Sequence, residues 1–244
     1  MKIRTLALAA LMSATGIFPA YAEEAEAPAP IHSFSGTLTF VSDYVFRGIT
    51  QNNEHPAVQG SFDYEHISGL YAGIWGSSVD FQDGGITSTE IDIYGGYRFP
   101  VGTVNLDAGL NGVIYPGSSQ NVDHYNYIEG KISAEKDFGF ADLTAQLAYS
   151  PEYFARSGPE TYIGLNGTVP LASSGFDFLA SIGHQWIDDE ATFGVPDYMD
   201  WSAGLGYSWQ GFDFALKYTD TNLSKTECAD GCEGRAVFSI ARTL

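Results

Sequence analysis

Positive charge is scarce in this sequence. Eleven lysines and arginines stand against 30 acids in 244 residues, a formal net charge of −19. No basic stripe is present, which argues against nucleic acid as a partner. Charged residues of both signs make up only 17% of the chain. Long apolar runs are missing too. The longest, Leu6 to Phe18, is too short to cross a bilayer as a helix. Cysteine is limited to Cys228 and Cys232, both in one late segment. There is no low-complexity tract and no strong internal repeat.

What is abundant is a two-residue rhythm. Ile91-Asp92-Ile93-Tyr94-Gly95-Gly96-Tyr97-Arg98-Phe99 alternates cleanly, as do the segments around Leu143–Tyr149 and Trp201–Trp209. Alternation of this kind assigns one residue set to each face of a β-strand. About twelve strands follow, at Gly36–Phe46, Val58–Glu65, Leu70–Val79, Glu90–Phe99, Thr103–Ile114, Tyr125–Lys136, Ala141–Ser150, Thr161–Val169, Phe176–Trp186, Met199–Trp209, Phe212–Thr219 and Ala236–Leu244. Their connections alternate between short and long. Short turns on one side and long loops on the other are the pattern of an outer-membrane barrel.

The N-terminus reads as a secretory signal over residues 1–22. Lys2 and Arg4 precede the apolar run, and Ala20-Tyr21-Ala22 offers a small-x-small cleavage site. Residues 23–33 are rich in Ala, Pro and Glu and read as a periplasmic tether. Residues 34–244 then form one domain. The expected fold class is all-β, an antiparallel transmembrane barrel in the bacterial outer membrane, reached by Sec export. Expected partners are outer-membrane lipid and lipopolysaccharide, the periplasmic chaperone and barrel-assembly machinery, and small solutes. No cofactor is expected.

Alternation alone does not say which face is inward. A soluble sandwich or lipocalin-like barrel would bury the apolar set. Two features favour the inverted arrangement. Acids and amides recur on one face of nearly every strand, which suits a wet lumen. Aromatics gather near strand ends on the other face, at Tyr44, Tyr64, Phe99, Tyr207, Trp209 and Tyr218, as in interface girdles. The final strand also places Phe238, Ile240, Arg242 and Leu244 on one face.

The candidate pore-lining set is then Asp43 and Arg47 on the first strand, Asp63 on the second, Glu90, Asp92 and Arg98 on the fourth, Asp107 on the fifth, Glu129 and Lys131 on the sixth, and Lys217 on the eleventh. Thr37, Thr39, Glu65, Tyr94, Tyr127, Glu135, Asn166 and Asp200 share those faces. The third strand is ambiguous, because Tyr71, Trp75 and Val79 oppose Leu70, Ala72 and Ile74. This interior is mixed in sign and mostly acidic, which fits a narrow channel for neutral or mildly cationic solutes. The alternative is a lumen filled by its own ion pairs, in a barrel acting through its outer loops as a receptor or adhesin.

Cys228 and Cys232, in an oxidising compartment, read as a small disulfide. The competing reading is a metal site, for which Cys-Ala-Asp-Gly-Cys lacks a nearby His pair. His55 and His124 fall in long loops, and no Gly-x-Ser-x-Gly nucleophile motif accompanies any histidine, so catalysis is not expected. Acidic loops at Asp80–Gly85 and Ile187–Glu190 match no EF-hand spacing and read as solvated.

Three segments carry a family resemblance. Ser42-Asp43-Tyr44-Val45-Phe46-Arg47-Gly48-Ile49-Thr50-Gln51 resembles the opening motif of the TorF porin family, a proteobacterial group also described as of unknown function. Gly69-Leu70-Tyr71-Ala72-Gly73-Ile74-Trp75-Gly76-Ser77 is similar to its second hallmark, and Val237-Phe238-Ser239-Ile240-Ala241-Arg242 to its C-terminal segment. The resemblance implies an outer-membrane barrel with a transport role. It brings no catalytic residues, and the cysteine-containing loop lies outside it.

Overall fold

The computed structural model describes residues 30–118, 124–172 and 174–244. The signal segment and most of the tether lie outside the described residues. Twelve strands close into an antiparallel barrel. They are β1 (His32–Val41), β4 (Ala57–His66), β5 (Leu70–Ser78), β6 (Thr89–Val101), β7 (Val104–Ile114), β8 (Tyr127–Asp137), β9 (Asp142–Ser150), β10 (Glu160–Pro170), β11 (Phe176–Ile187), β12 (Tyr198–Trp209), β13 (Phe212–Thr221) and β14 (Arg235–Thr243). Two further strands of two residues each, β2 (Val45–Phe46) and β3 (Ile49–Thr50), form a separate hairpin. A four-residue helix, α1 (Glu190–Phe193), sits in a loop between β11 and β12.

Each strand pairs with its sequence neighbours, and β1 closes on β14 from Thr37↔Thr243 to Val41↔Ser239. Closure leaves no unpaired edge, as backbone in hydrocarbon requires. Five short turns gather at one end, among them 102–103 and 210–211. Six longer connections gather at the other, with described residues at 42–56, 79–88, 115–118 and 124–126, 151–159, 188–197 and 222–234.

The apolar half of the alternation faces outward. Leu110 is 63% exposed and Ile132 59%, and Leu38, Phe62, Ile93, Leu165 and Leu216 share that outer face. The polar half is enclosed: Gln59 and Asp92 are 3% and 1% exposed, and Thr39, Asn111 and Asp200 are buried with them. Such an inside-out distribution is stable only where the outer face meets lipid. Tyr207, Trp209 and Tyr218 are exposed on the outer face, and Tyr97 stacks on Phe99 there. Arg242 also faces outward, with its guanidinium over Phe212 and donating to the Gln210 carbonyl at 3.2 Å.

Two expectations fail at the first strand. It ends at Val41, five residues before Phe46, because Ser42-Asp43 breaks the ladder and the chain turns into the lumen. Tyr44 is therefore buried at 1% exposure and does not join an outer girdle. The third strand resolves with Tyr71 and Trp75 inward, Tyr71 on Asp107 and Trp75 against Tyr44.

The face assignment predicts an asymmetry between neighbours. Leu110→Arg, on the lipid side, will destabilise the barrel by about 2–4 kcal/mol. Asn111→Arg, one residue along on the lumen side, will cost less. Urea titrations of the two variants folded into lipid vesicles measure both, and equal losses would contradict the inversion.

Candidate functional site

The hairpin β2–β3 stands inside the barrel. Its turn is Arg47-Gly48, flanked by the pairs Phe46↔Ile49 and Val45↔Thr50. Both turn residues have positive φ, +46° and +80°, as a two-residue hairpin of the primed kind requires. Gly48 suits this role twice, since a Cβ there would also collide with Thr221 and Asp200 on the barrel wall. Arg47 does not suit it, because a left-handed backbone costs an ordinary residue about 1–2 kcal/mol.

What offsets that strain is the Arg47 side chain. Its guanidinium donates to Glu129 Oε2 at 2.7 Å on β8 and to Glu160 Oε1 at 2.8 Å on β10. It lies 4.1 Å from the Tyr162 ring centre and 4.6 Å from that of Phe46. Charge-assisted bonds in a closed environment are the strong ones. Arg47 thus ties the first loop across the lumen to the far wall.

The base of the same loop is fixed to the near wall. Asp43 accepts from Thr50 Oγ1 at 2.5 Å and from Arg235 on β14 at 3.0 Å. Arg235 also meets Glu54 at 3.2 Å. Tyr44 donates to Glu90 at 2.9 Å. Above the hairpin, rings from four loops pack together, some edge to face and some stacked. Phe81 lies 5.4 Å from both Tyr115 and Phe154, Tyr125 stacks on Phe154 at 4.4 Å, and Tyr153 meets Phe193 at 5.6 Å. This lid packs on Tyr44 and Phe46.

The sixth loop clasps the hairpin from the side. Cys228 and Cys232 form a disulfide, and Ile49 packs in the cluster that holds both. The Thr50 amide donates to the Gly231 carbonyl at 2.9 Å, and the Thr221 hydroxyl to the Cys232 carbonyl at 2.8 Å.

Below the hairpin lies a cavity of about 200 Å³. Its lining runs from Asp43–Gly48 down to Glu135, Asp142 and Thr168, beside the short turns. Of the ten sequence-predicted lining residues, Asp43, Arg47, Glu90, Asp92, Glu129, Lys131 and Lys217 reach this cavity. Asp43 and Arg47 do so from the inward loop, which corrects their placement on a strand wall. Asp63, Arg98 and Asp107 also face inward but belong to a separate packed network. There Arg98 pairs with Glu65 and with Asp107, the latter at 3.0 Å, and stacks over Tyr71 at 4.1 Å, while Tyr94 donates to Asp63. That network occupies the short-turn end of β4–β7, and the cavity is lined mainly by β8–β13, with Glu90, Asp92 and Asn111 reaching it from the long-loop ends of β6 and β7.

The sequence reading missed the hairpin and the aromatic lid. The signals were present. Arg47-Gly48 between Val45-Phe46 and Ile49-Thr50 is a turn between apolar pairs, and Phe81, Tyr115, Tyr125, Tyr153, Phe154 and Phe193 crowd loops otherwise rich in polar residues.

The acidic loops use their carboxylates internally. Asp189 accepts from the Thr192 hydroxyl at 2.6 Å and amide at 3.0 Å, capping α1; the hydroxyl and then the amide hold it below the usual carboxylate range. Asp83 accepts from the amides of Ile86 and Thr87. Among the described residues no group of three His, Cys, Asp or Glu side chains is arranged to hold a metal ion. His55 and His124 stand exposed on the loops.

Comparison with solved structures returns outer-membrane barrels. The chain superimposes on the NanC porin with TM-score 0.54 at 8% identity, covering 86% of this chain and 98% of that one. On the COG4313 outer membrane channel from Pseudomonas putida F1 the TM-score is 0.53 at 12% identity, with 89% and 97% covered. A porin refined at 1.8 Å is longer: this chain spans 62% of it, with TM-score 0.43 and 12% identity over 77% of this chain. At such identities the likeness is one of fold. No curated protein matches the sequence. A family model does match, over residues 24–244. By that match the chain belongs to the Gcw_chp family, bacterial proteins of unknown function.

Proposed function

We propose that this protein is a gated channel for passive diffusion of small solutes across the bacterial outer membrane, neutral or mildly cation-preferring. The observation that carries the reading is the cavity itself. A polar cavity lies below the inward hairpin, with lining residues down to Glu135, Asp142 and Thr168, and is lined by seven carboxylates and three cations. An acidic excess in a narrow, low-dielectric space attracts cations and repels small anions. The TorF-like motif at Ser42–Gln51 supports the same reading, since it coincides with the hairpin that closes the passage. No residue performs covalent chemistry in this scheme; positioning and electrostatics do the work. Export through the Sec pathway and insertion by the barrel-assembly machinery into a lipopolysaccharide-containing membrane complete the proposal.

In this reading the long-loop end faces outward and is held closed. Arg47 is the pin, the aromatic lid covers it, and the disulfide loop clasps it. A second reading is favoured by the same closure: a plugged barrel that acts through its outer loops.

Conductance separates the two. In planar bilayers the pure folded protein will show small, intermittent unitary currents with a weak cation preference. Arg47→Ala removes both ion pairs, leaving Glu129 and Glu160 buried without a partner, a loss of about 3–5 kcal/mol that the chain avoids by releasing the loop. Its unitary conductance will rise several-fold. Absence of unitary current in both proteins would overturn the channel and leave the plugged barrel.

The clasp has its own signature. Replacing Cys228 and Cys232 by Ser together will shorten the closed intervals and leave the fully open conductance unchanged. Identical gating with and without the disulfide would contradict its role in holding the hairpin.

A further inference from the structure

The ten charged groups of the cavity are not all neutralised. Arg47 is matched by Glu129 and Glu160. Asp43 is matched by Arg235. Among the described residues, Lys217 has no carboxylate within 4.0 Å, and neither Glu135 nor Asp142 has a cation within that distance. All three line the same cavity. A half-buried charge without an ion pair is costly to retain, so each marks a place where a charged solute gains, most at Lys217 and Asp142, since Arg98 offsets part of the charge on Glu135.

Their placement is ordered. Lys217 lies on β13, and Glu135 and Asp142 lie on β8 and β9. Three strands, β10 to β12, separate the two walls. In the lower cavity those strands present Asn166 and the hydrogen-bonded pair Ser181 and Ser202, 2.7 Å apart, while Asp200 on β12 lies higher, beside Gly48, and accepts from the Tyr162 hydroxyl at 3.1 Å. Lys217 is held in this position by its neighbour. Its stem runs across Gly204 on β12, where a Cβ would collide with Lys217 and with the Leu216 carbonyl.

From this arrangement we propose that the lower cavity is a binding subsite for a small zwitterion whose amine and carboxylate are several bonds apart, such as a short peptide. The carboxylate pairs with Lys217 and takes hydroxyl donors from Ser181 and Ser202. The ammonium lies toward Glu135 and Asp142. Such a solute is neutral overall, so it enters an acidic mouth without the repulsion met by a small anion, and it meets both fixed signs once inside. The proposal deepens the channel reading by naming a solute class, and equilibrium binding tests it whether or not the solute passes through.

The experiment is calorimetric titration of the full folded barrel in detergent with three probes of one backbone. Glycylglycine carries both charges, N-acetylglycylglycine lacks the ammonium, and glycylglycinamide lacks the carboxylate. Glycylglycine will bind saturably, and each capped form will bind on the order of tenfold more weakly or worse. Lys217→Gln will weaken glycylglycine by a similar factor and leave glycylglycinamide unchanged. The paired change Glu135→Gln with Asp142→Asn will weaken glycylglycine and leave N-acetylglycylglycine unchanged. Lys217→Arg, which keeps the charge, will retain binding. The three probes on the unmodified protein suffice if a variant fails to fold. No saturable binding of glycylglycine, equal binding of all three probes, or a Lys217→Gln loss shared equally by glycylglycinamide would overturn the subsite. Binding without unitary current would refute passage and leave the subsite standing.

Discussion

The contact between Arg47 and the two carboxylates of β8 and β10 governs the interior of this barrel. A barrel of twelve strands is stable by closure alone, since every ladder is paired and the apolar face meets lipid. What closure does not fix is whether the lumen is a passage. That depends on a segment with no place in the sheet, held by an arginine in an unfavourable backbone conformation. The strain is tolerated because Glu129 and Glu160 approach from two other strands. Strained backbone of this sort persists only where its surroundings over-determine it. Here those surroundings are the ion pairs, the ring of Tyr162, the aromatic lid and the disulfide loop.

The lumen divides into two kinds of polar interior. At the short-turn end of β4–β7, Arg98, Glu65, Asp107, Tyr71, Tyr94 and Asp63 satisfy one another. Along β8–β13, and at the long-loop ends of β6 and β7, charges of both signs surround open space. The first arrangement is structural support of the kind that would fill a lumen completely. The second leaves charges without partners, and it is there that solute chemistry is to be sought. The distinction rests on geometry, because both walls have the same acid-rich composition.

Much of the fold is legible in the sequence, for a physical reason. Period-two alternation over strands such as Ile91–Phe99 leaves little freedom in which face a residue occupies, and loop-length parity places the ends. The boundaries of β4 to β14 fall within a few residues of the alternation limits. The inner-face residues from Asp63 to Lys217 follow directly. The hairpin at Val45–Thr50 was not legible in that way. Asp43 and Arg47 continue the alternation of β1 in sequence, so periodicity assigns them to the wall, whereas Ser42-Asp43 ends the ladder and the Arg47-Gly48 turn folds them inward. Tyr44 was misplaced for the same reason. The packing of Arg98 apart from Lys217 was equally hidden, since it depends on which strands face one another across the lumen and not on any local pattern.

In the proposed channel the cavity opens at the short-turn end and is shut at the long-loop end by the pinned hairpin. Accessibility of a cysteine placed within it tests this most directly. With Ser202→Cys, a membrane-impermeant maleimide is applied to intact cells and, separately, to permeabilised cells in which the periplasmic face is exposed. The account predicts labelling only when the periplasmic face is exposed. Equal labelling in intact cells, or none from either side, would contradict it.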